Sequence, residues 1–505
     1  MNVYPRRPLF HRKQQSNIYR MFLWVMMILG GVWMIQQINQ GEIKPLFEPT
    51  PTPTRSVNSL LLEGEANFTA GDVGGAITAY QQAVQLNPNH AETWAKLARI
   101  QAYSSEFLIT DEEKIAKLTD ALESADKAVE LAPEDSYVRG VRAFVLDWNA
   151  NSSLYPGDPQ KVQRFLIDAE QEALIALQLD NTNTLALAYY AEILLDQQKW
   201  DQAQQYIGQA LAREDADRLM DVHRINAYLL ESLGDYNLAI TEYDKAISIE
   251  PNFTFLHRRA GANYRTLAFA IANREGVEAA RPTYEKSLEY FERAARINEQ
   301  IGVNDPGPYL SIARTYSQLG EFFIAARNAQ KALEFDPTNA DIYGQLGVIY
   351  FRSRNYEGSI YSFECAIRGC EGDKSCQGRG LEKCLPPNPD LGPEFEEHTI
   401  IGLPIAPSTI VYYYTYGSVL AALSRPRDNK CGDAMQVFSE VRAELNANPD
   451  AYADGRETII NIIQAGETIC ASLAEDGLPS SSVVDESATS TAEAGMSDLT
   501  ATPTP

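Results

Sequence analysis

The sequence predicts an all-α solenoid, a row of helix–turn–helix units stacked end to end. Three observations carry this. A helical phrase of about 34 residues recurs along the chain. Small and aromatic residues alternate at fixed places within it, and Gly and Pro punctuate it at the same points. The phrase is clearest at 220–252, MDVHRINAYLLESLGDYNLAITEYDKAISIEPN.

Each place in that phrase has a mechanical reason. Gly234 can end the first helix, Asp235 can cap the second, and Pro251 closes the unit. Ala239, Tyr243 and Ala246 fall on one face of the second helix, and small beside large lets two helices approach closely. Gly64, Gly71, Ala76, Tyr80, Ala83 and Pro88 repeat the phrase near the front, and Ala313, Tyr316, Gly320, Ala325, Ala332 and Pro337 repeat it later. Tyr343, Gly347, Tyr350, Phe363 and Ala366 follow at once, and a weaker copy runs from Thr184 through Ala191, Ala203, Ile207 and Ala210.

This pattern resembles the tetratricopeptide repeat (TPR), and the resemblance covers 58 to about 450. It implies a right-handed α-solenoid of about nine helix–turn–helix units, with the first helices lining a concave groove that binds other proteins. The family shares an architecture rather than one activity. Its carboxylate-clamp pattern of Lys and Asn is absent here, so a chaperone-tail function is not carried over.

In chain order, residues 1–20 form a basic tail with Arg6, Arg7, Arg12, Lys13 and Arg20 and no acid. An uncharged apolar run, MFLWVMMILGGVWMI, follows at 21–35 and extends to 38 as a single transmembrane signal-anchor helix. No small-x-small cleavage site follows it, so an uncleaved anchor is preferred to a removed signal peptide. The basic flank predicts a cytoplasmic N-terminus and an extracytoplasmic remainder. Residues 39–57 are a Pro/Thr-rich linker, and 58–450 the solenoid, with a Cys-rich insertion at 369–407. Residues 451–473 form a capping helix, and 474–505 an acidic Ser/Thr-rich tail with the composition of disordered chain.

Three units are longer than the reference. The excess falls around Ser104 to Glu112, Asn149 to Pro159 and Ala270 to Pro282. It forms either a partner-contacting rim or longer loops and helices.

The formal charge of −25 argues against nucleic acid and anionic lipid as partners. Against that background Arg224, Arg258, Arg265 and Arg314 fall on the inner faces of three consecutive units. Arginine forks suit carboxylates, so these four are a candidate site for an acidic peptide. The plainer reading pairs each with a neighbour such as Asp221 or Glu231. Trp94, Tyr309, Tyr343, Tyr350, His223 and His257 occupy packing places.

All six cysteines lie at or after residue 365. An even number beyond an outward-facing anchor predicts disulfides. Cys431 with Cys470 follows from antiparallel helix packing; Cys370 with Cys376 and Cys365 with Cys384 are the favoured remaining pairs. A zinc site on Cys365, Cys370, Cys376 and Cys384 is the competing reading, although no Cys-x-x-Cys pair is present. Sequons at Asn67, Asn151 and Asn252 do not identify the compartment.

No phosphate-binding loop, zinc-protease, serine-hydrolase or dinucleotide motif occurs. Glu394, Glu396, Glu397 and His398 read as a solvated loop. The sequence therefore predicts a non-enzymatic, cofactor-free scaffold binding a protein or extended peptide. The alternatives are a binder of peptide, solute or cell-envelope polymer, an enzyme using a metal in the Cys-rich insertion, and a structural spacer.

Overall fold

The computed structural model describes residues 17–39, 56–108, 111–155, 157–386, 392, 395–453 and 455–476. The basic tail before residue 17, most of the linker and the acidic tail after 476 lie outside them. The first unit contains one helix, α1 (Ile18–Asn39). Among the described residues it alone is long and apolar enough to cross a membrane, by length and composition.

The second unit starts at Val57 and is helical throughout, with only isolated bridges among its described residues. Nine antiparallel pairs follow in order. They are α2 (Val57–Thr69) with α3 (Val73–Leu86), α4 (Ala91–Ser104) with α5 (Asp111–Leu131), and α6 (Ser136–Asn149) with α7 (Pro159–Leu179). Next come α8 (Thr184–Asp196) with α9 (Trp200–Leu211), α10 (Met220–Ser232) with α11 (Tyr236–Ile249), and α12 (Thr254–Glu275) with α13 (Val277–Ile301). The last are α14 (Gly307–Gln318) with α15 (Phe322–Phe335), α16 (Ala340–Arg352) with α17 (Tyr356–Arg368), and α19 (Ile410–Leu423) with α20 (Cys431–Ala447). Short α18 (Asp373–Gly378) lies in the Cys-rich insertion, and α21 (Arg456–Asp476) covers the final pair.

The pairs close because glycine on the first helix meets an aromatic ring on the second. A Cβ at Gly64 would come within 2.7 Å of Tyr80, at Gly261 within 2.7 Å of Phe291, and at Gly417 within 2.5 Å of Phe438. Ala239, Tyr243 and Ala246 are buried as their spacing requires. The turn inside each short pair needs one left-handed residue, which Gly71, Gly234 and Gly320 supply. Gln198 and Arg354 take that conformation without glycine's freedom, at φ 60° and 64°.

A second device fixes four of the entries into a first helix. The side chain six residues after Pro donates to the Pro carbonyl: Trp94 to Pro88 at 2.9 Å, Arg139 to Pro133 at 2.9 Å, and Tyr343 to Pro337 at 2.9 Å. His257 makes the same contact to Pro251 at 2.8 Å. Burial pushes its imidazole down to about 4 and so keeps it neutral.

First helices touch one another in succession along α4, α6, α8 and α10, whereas successive second helices stay apart. The first helices therefore line the inside of the curve. The extra residues of the long pairs go largely into helix. α5 and α7 each have 21 residues, and α12 and α13 have 22 and 25, separated by Gly276 alone. The rim expectation fails at the first insertion. Its turn at Ser105–Phe107 packs inward, with Phe107 against Phe253.

Candidate functional site

The inner surface divides into two parts. In the first, the superhelix closes on itself. The Asn252 side chain donates to the Thr69 carbonyl at 3.3 Å across 183 residues, and Phe68 (tilted) and Tyr103 (edge-on) pack against Phe253 with ring centroids at 5.8 and 5.2 Å. The interior so enclosed is filled by side chains. Arg99 and Tyr103 both bond to Asp221, and Arg99 Nε donates to the Tyr189 hydroxyl at 3.1 Å.

Arg224 lies in this interior, 3% exposed, and not on an open groove. Its fork meets Glu192 at 2.5 and 2.7 Å, and its guanidinium sits over Tyr103, Phe144 and Trp148 at 5.6 to 5.9 Å. Burial opposes its charge, but Glu192, Tyr103 and Asp221 together outweigh that and raise its pKa. Tight inner-helix packing removes Arg224 from the candidate ligand set. Its partner comes from the preceding repeat, not from Asp221 or Glu231.

The same interior holds an acid that sequence reading did not single out. Asp147 is 2% exposed, and neither of its carboxyl oxygens has a hydrogen-bond partner. Burial, then Asp196 and Glu192, push its pKa well up. Asp196, exposed at the end of α8, accepts from the Tyr228 hydroxyl at 2.8 Å.

Beyond α11 the inner surface stays open. Arg258 is neutralised by Asp305 at 3.3 Å and Glu106 at 3.6 Å, which removes it as a free cation. Arg265 and Arg314 differ. Among the described residues, neither has a carboxylate within ion-pair distance. Arg265 Nη1 reaches only the Ser311 carbonyl at 3.4 Å, and the guanidinium lies 5.4 Å over Phe291. Arg314 is exposed and donates from Nε to Gln345 Oε1 at 2.8 Å. Gln345 in turn donates to Asp341 at 2.5 Å, and the Tyr412 hydroxyl reaches the same carboxylate at 2.6 Å. Burial, then Arg314, pull the pKa of Arg265 down to about 9. The pair is an uncompensated cationic spot on α12 and α14, and what it lacks is an anion.

The Cys-rich insertion closes over α16 and α17. Cys365 pairs with Cys370 and Cys376 with Cys384, in place of the expected Cys370–Cys376 and Cys365–Cys384. Gly369, at φ 77°, turns the chain back beside the end of α17. Cys370 then lies 4.8 Å from Cys365 between Cα atoms, and its backbone bridges to Ile400. Cys431 pairs with Cys470 as expected. All six sulfurs are in disulfides, so none is a thiolate ligand for zinc. Gly378 packs against Cys365 Sγ and Tyr343, and the Gly378 carbonyl accepts from Ser362 at 2.7 Å. The insertion is thereby part of the wall.

Comparison with known proteins agrees with this architecture. Residues 227–253 and 328–361 match family models described as tetratricopeptide repeat. The chain thus carries tetratricopeptide repeats at these two stretches. It is 24% identical over 214 residues to a wheat (Triticum aestivum) "Hsp70-Hsp90 organizing protein", covering 38% of this chain and 36% of that one. It is 23% identical over 299 residues to a mouse (Mus musculus) "DnaJ homolog subfamily C member 7", covering 56% and 54%. The chain thus spans about a third to a half of the length of the curated relatives it matches. Similar solved structures include a TPR protein of Thermus thermophilus, with 21% identity, TM-score 0.33 and coverage of 41% of this chain and 98% of that one. Another is the human IFIT1 dimer with PPP-AAAA, with 16% identity, TM-score 0.46 and coverage of 84% and 92%.

Proposed function

We propose that this chain is a membrane-anchored TPR scaffold that binds protein partners on the extracytoplasmic side, through the open inner face of α12, α14 and α16. The observation that carries the reading is the uncompensated pair Arg265 and Arg314, beside Arg224, Arg258 and Arg259, which already hold carboxylates. An acidic segment of a partner supplies the missing charge, and the rigid face limits the ordering cost of binding it. Relatives named as organizing proteins support a scaffold role, although their names belong to longer proteins. The apolar helix α1, with Arg20 before its core, supports the anchor. Three disulfides support an oxidising compartment. The chain acts without cofactor or chemistry of its own.

The test is to identify proteins held by the full chain from solubilised host membranes, beside an Arg265→Glu, Arg314→Glu form of equal helicity. Discrete proteins lost from the reversed form are expected. Identical sets from both forms would contradict binding through this face.

A further inference from the structure

At three other inner-helix arginines the chain itself supplies the acid. Arg224 takes Glu192, Arg259 takes Glu231 at 2.9 Å, and Arg258 takes Asp305. Only at Arg265 and Arg314, among these inner-helix arginines, is that acid missing from the described residues.

The chain continues past α21 for 29 residues, 477–505, holding Asp485, Glu486, Glu493 and Asp498 and no Lys, Arg or His. We propose that this acidic C-terminal segment occupies the open inner face, placing its carboxylates on Arg265 and Arg314 and holding the face shut to other ligands. The inference rests on reading that pair as an acid-binding site, and it names the resident occupant.

Reach and charge both support it. α21 packs against α19, and α19 touches α16, in the same inner row as α14 and α12. Four helix spacings of about 10 Å separate α21 from α12, about 40 Å in all. At about 3.3 Å per extended residue, Glu493 and Asp498, 17 and 22 residues past Asp476, reach α12, while Asp485 and Glu486, 9 and 10 residues past it, reach about as far as α14. Tethering gives the segment an effective concentration on the order of millimolar, enough for a weak contact to compete with a free partner. A second copy of this chain is a poorer occupant, because its surface carries the same excess of acid as this one.

The test uses the purified full chain in nonionic detergent at low salt. The probe is a dye-labelled peptide of sequence SSVVDESATSTAEAGMSDLT, residues 481–500, and binding is read by fluorescence anisotropy. Three forms are compared: the natural chain, a form with Asp485→Asn, Glu486→Gln, Glu493→Gln and Asp498→Asn, and that form with Arg265→Glu and Arg314→Glu added. Neutralising the tail is expected to tighten probe binding at least 10-fold, and the arginine reversals to erase the gain.

Equal affinity in the first two forms, with loss in the third, overturns the tail as occupant and leaves the acid-binding face standing. Affinity unchanged in all three overturns both. A probe that binds none of them removes the tail as occupant, and the face is then judged on the captured proteins alone.

Discussion

Arg224 on α10 and Arg265 on α12 stand on neighbouring inner helices, yet they meet opposite surroundings. Arg224 is enclosed with its carboxylate already in place, whereas Arg265 has only a backbone carbonyl and an aromatic ring. Curvature makes the difference. From α4 to α10 the inner helices pack so closely that the first pair meets the α11–α12 turn and the interior becomes core. From α12 onward the inner face remains a surface, and disulfides hold its far end. One repeat can therefore build either a filled ring or an open wall, depending on whether its arginines are answered from within the array.

The largest effect that sharpens this contrast is expected at Arg224. Arg224→Ala leaves Glu192 buried without a partner and should cost about 3–5 kcal/mol, read as early urea unfolding of the N-terminal repeats. Arg314→Ala, on the open wall, should stay within about 0.5 kcal/mol. Removing the Cys431–Cys470 bridge, which joins residues 39 apart, should cost up to about 4 kcal/mol and loosen α20 and α21 only. Hydrogen exchange resolved by helix locates the change.

A smaller effect follows from the buried acid. Asp147 has a folded pKa raised well above its unfolded one, so its contribution is fully present below the unfolded value near 3.8 and is lost as pH rises through the folded value. The N-terminal repeats should therefore lose stability as pH rises above about 4. Asp147→Asn should raise their thermal midpoint at pH 8 by about 2–4 °C and flatten that slope. A midpoint unchanged at pH 8 would contradict an ionising Asp147.

The fold was legible because its determinants are local. Gly64 against Tyr80, Gly234 in its turn and Pro251 at the stop are set within one unit. The interior was not, because curvature accumulates over repeats and no single unit records it. A signal was nevertheless present at one repeat's distance. Glu192 and Arg224, Asp196 and Tyr228, and Glu231 and Asn263 are each 32 residues apart and each bonded. Looking for partners within a helix, at Asp221 and Glu231, missed that period. The loop disulfides were misassigned because the fold-back at Gly369 gives spacing alone no handle on which cysteine returns to Cys365.

The division between filled ring and open wall is tested most directly by arginine-specific labelling with phenylglyoxal, read residue by residue by mass spectrometry. The form with neutralised tail acids is used, so that the segment after α21 cannot shield the wall. Arg314 should react first and Arg265 next, while Arg224 reacts only once the repeats unfold. Reaction of Arg224 at the rate of Arg314 in the native chain would show an open N-terminal interior and contradict the account.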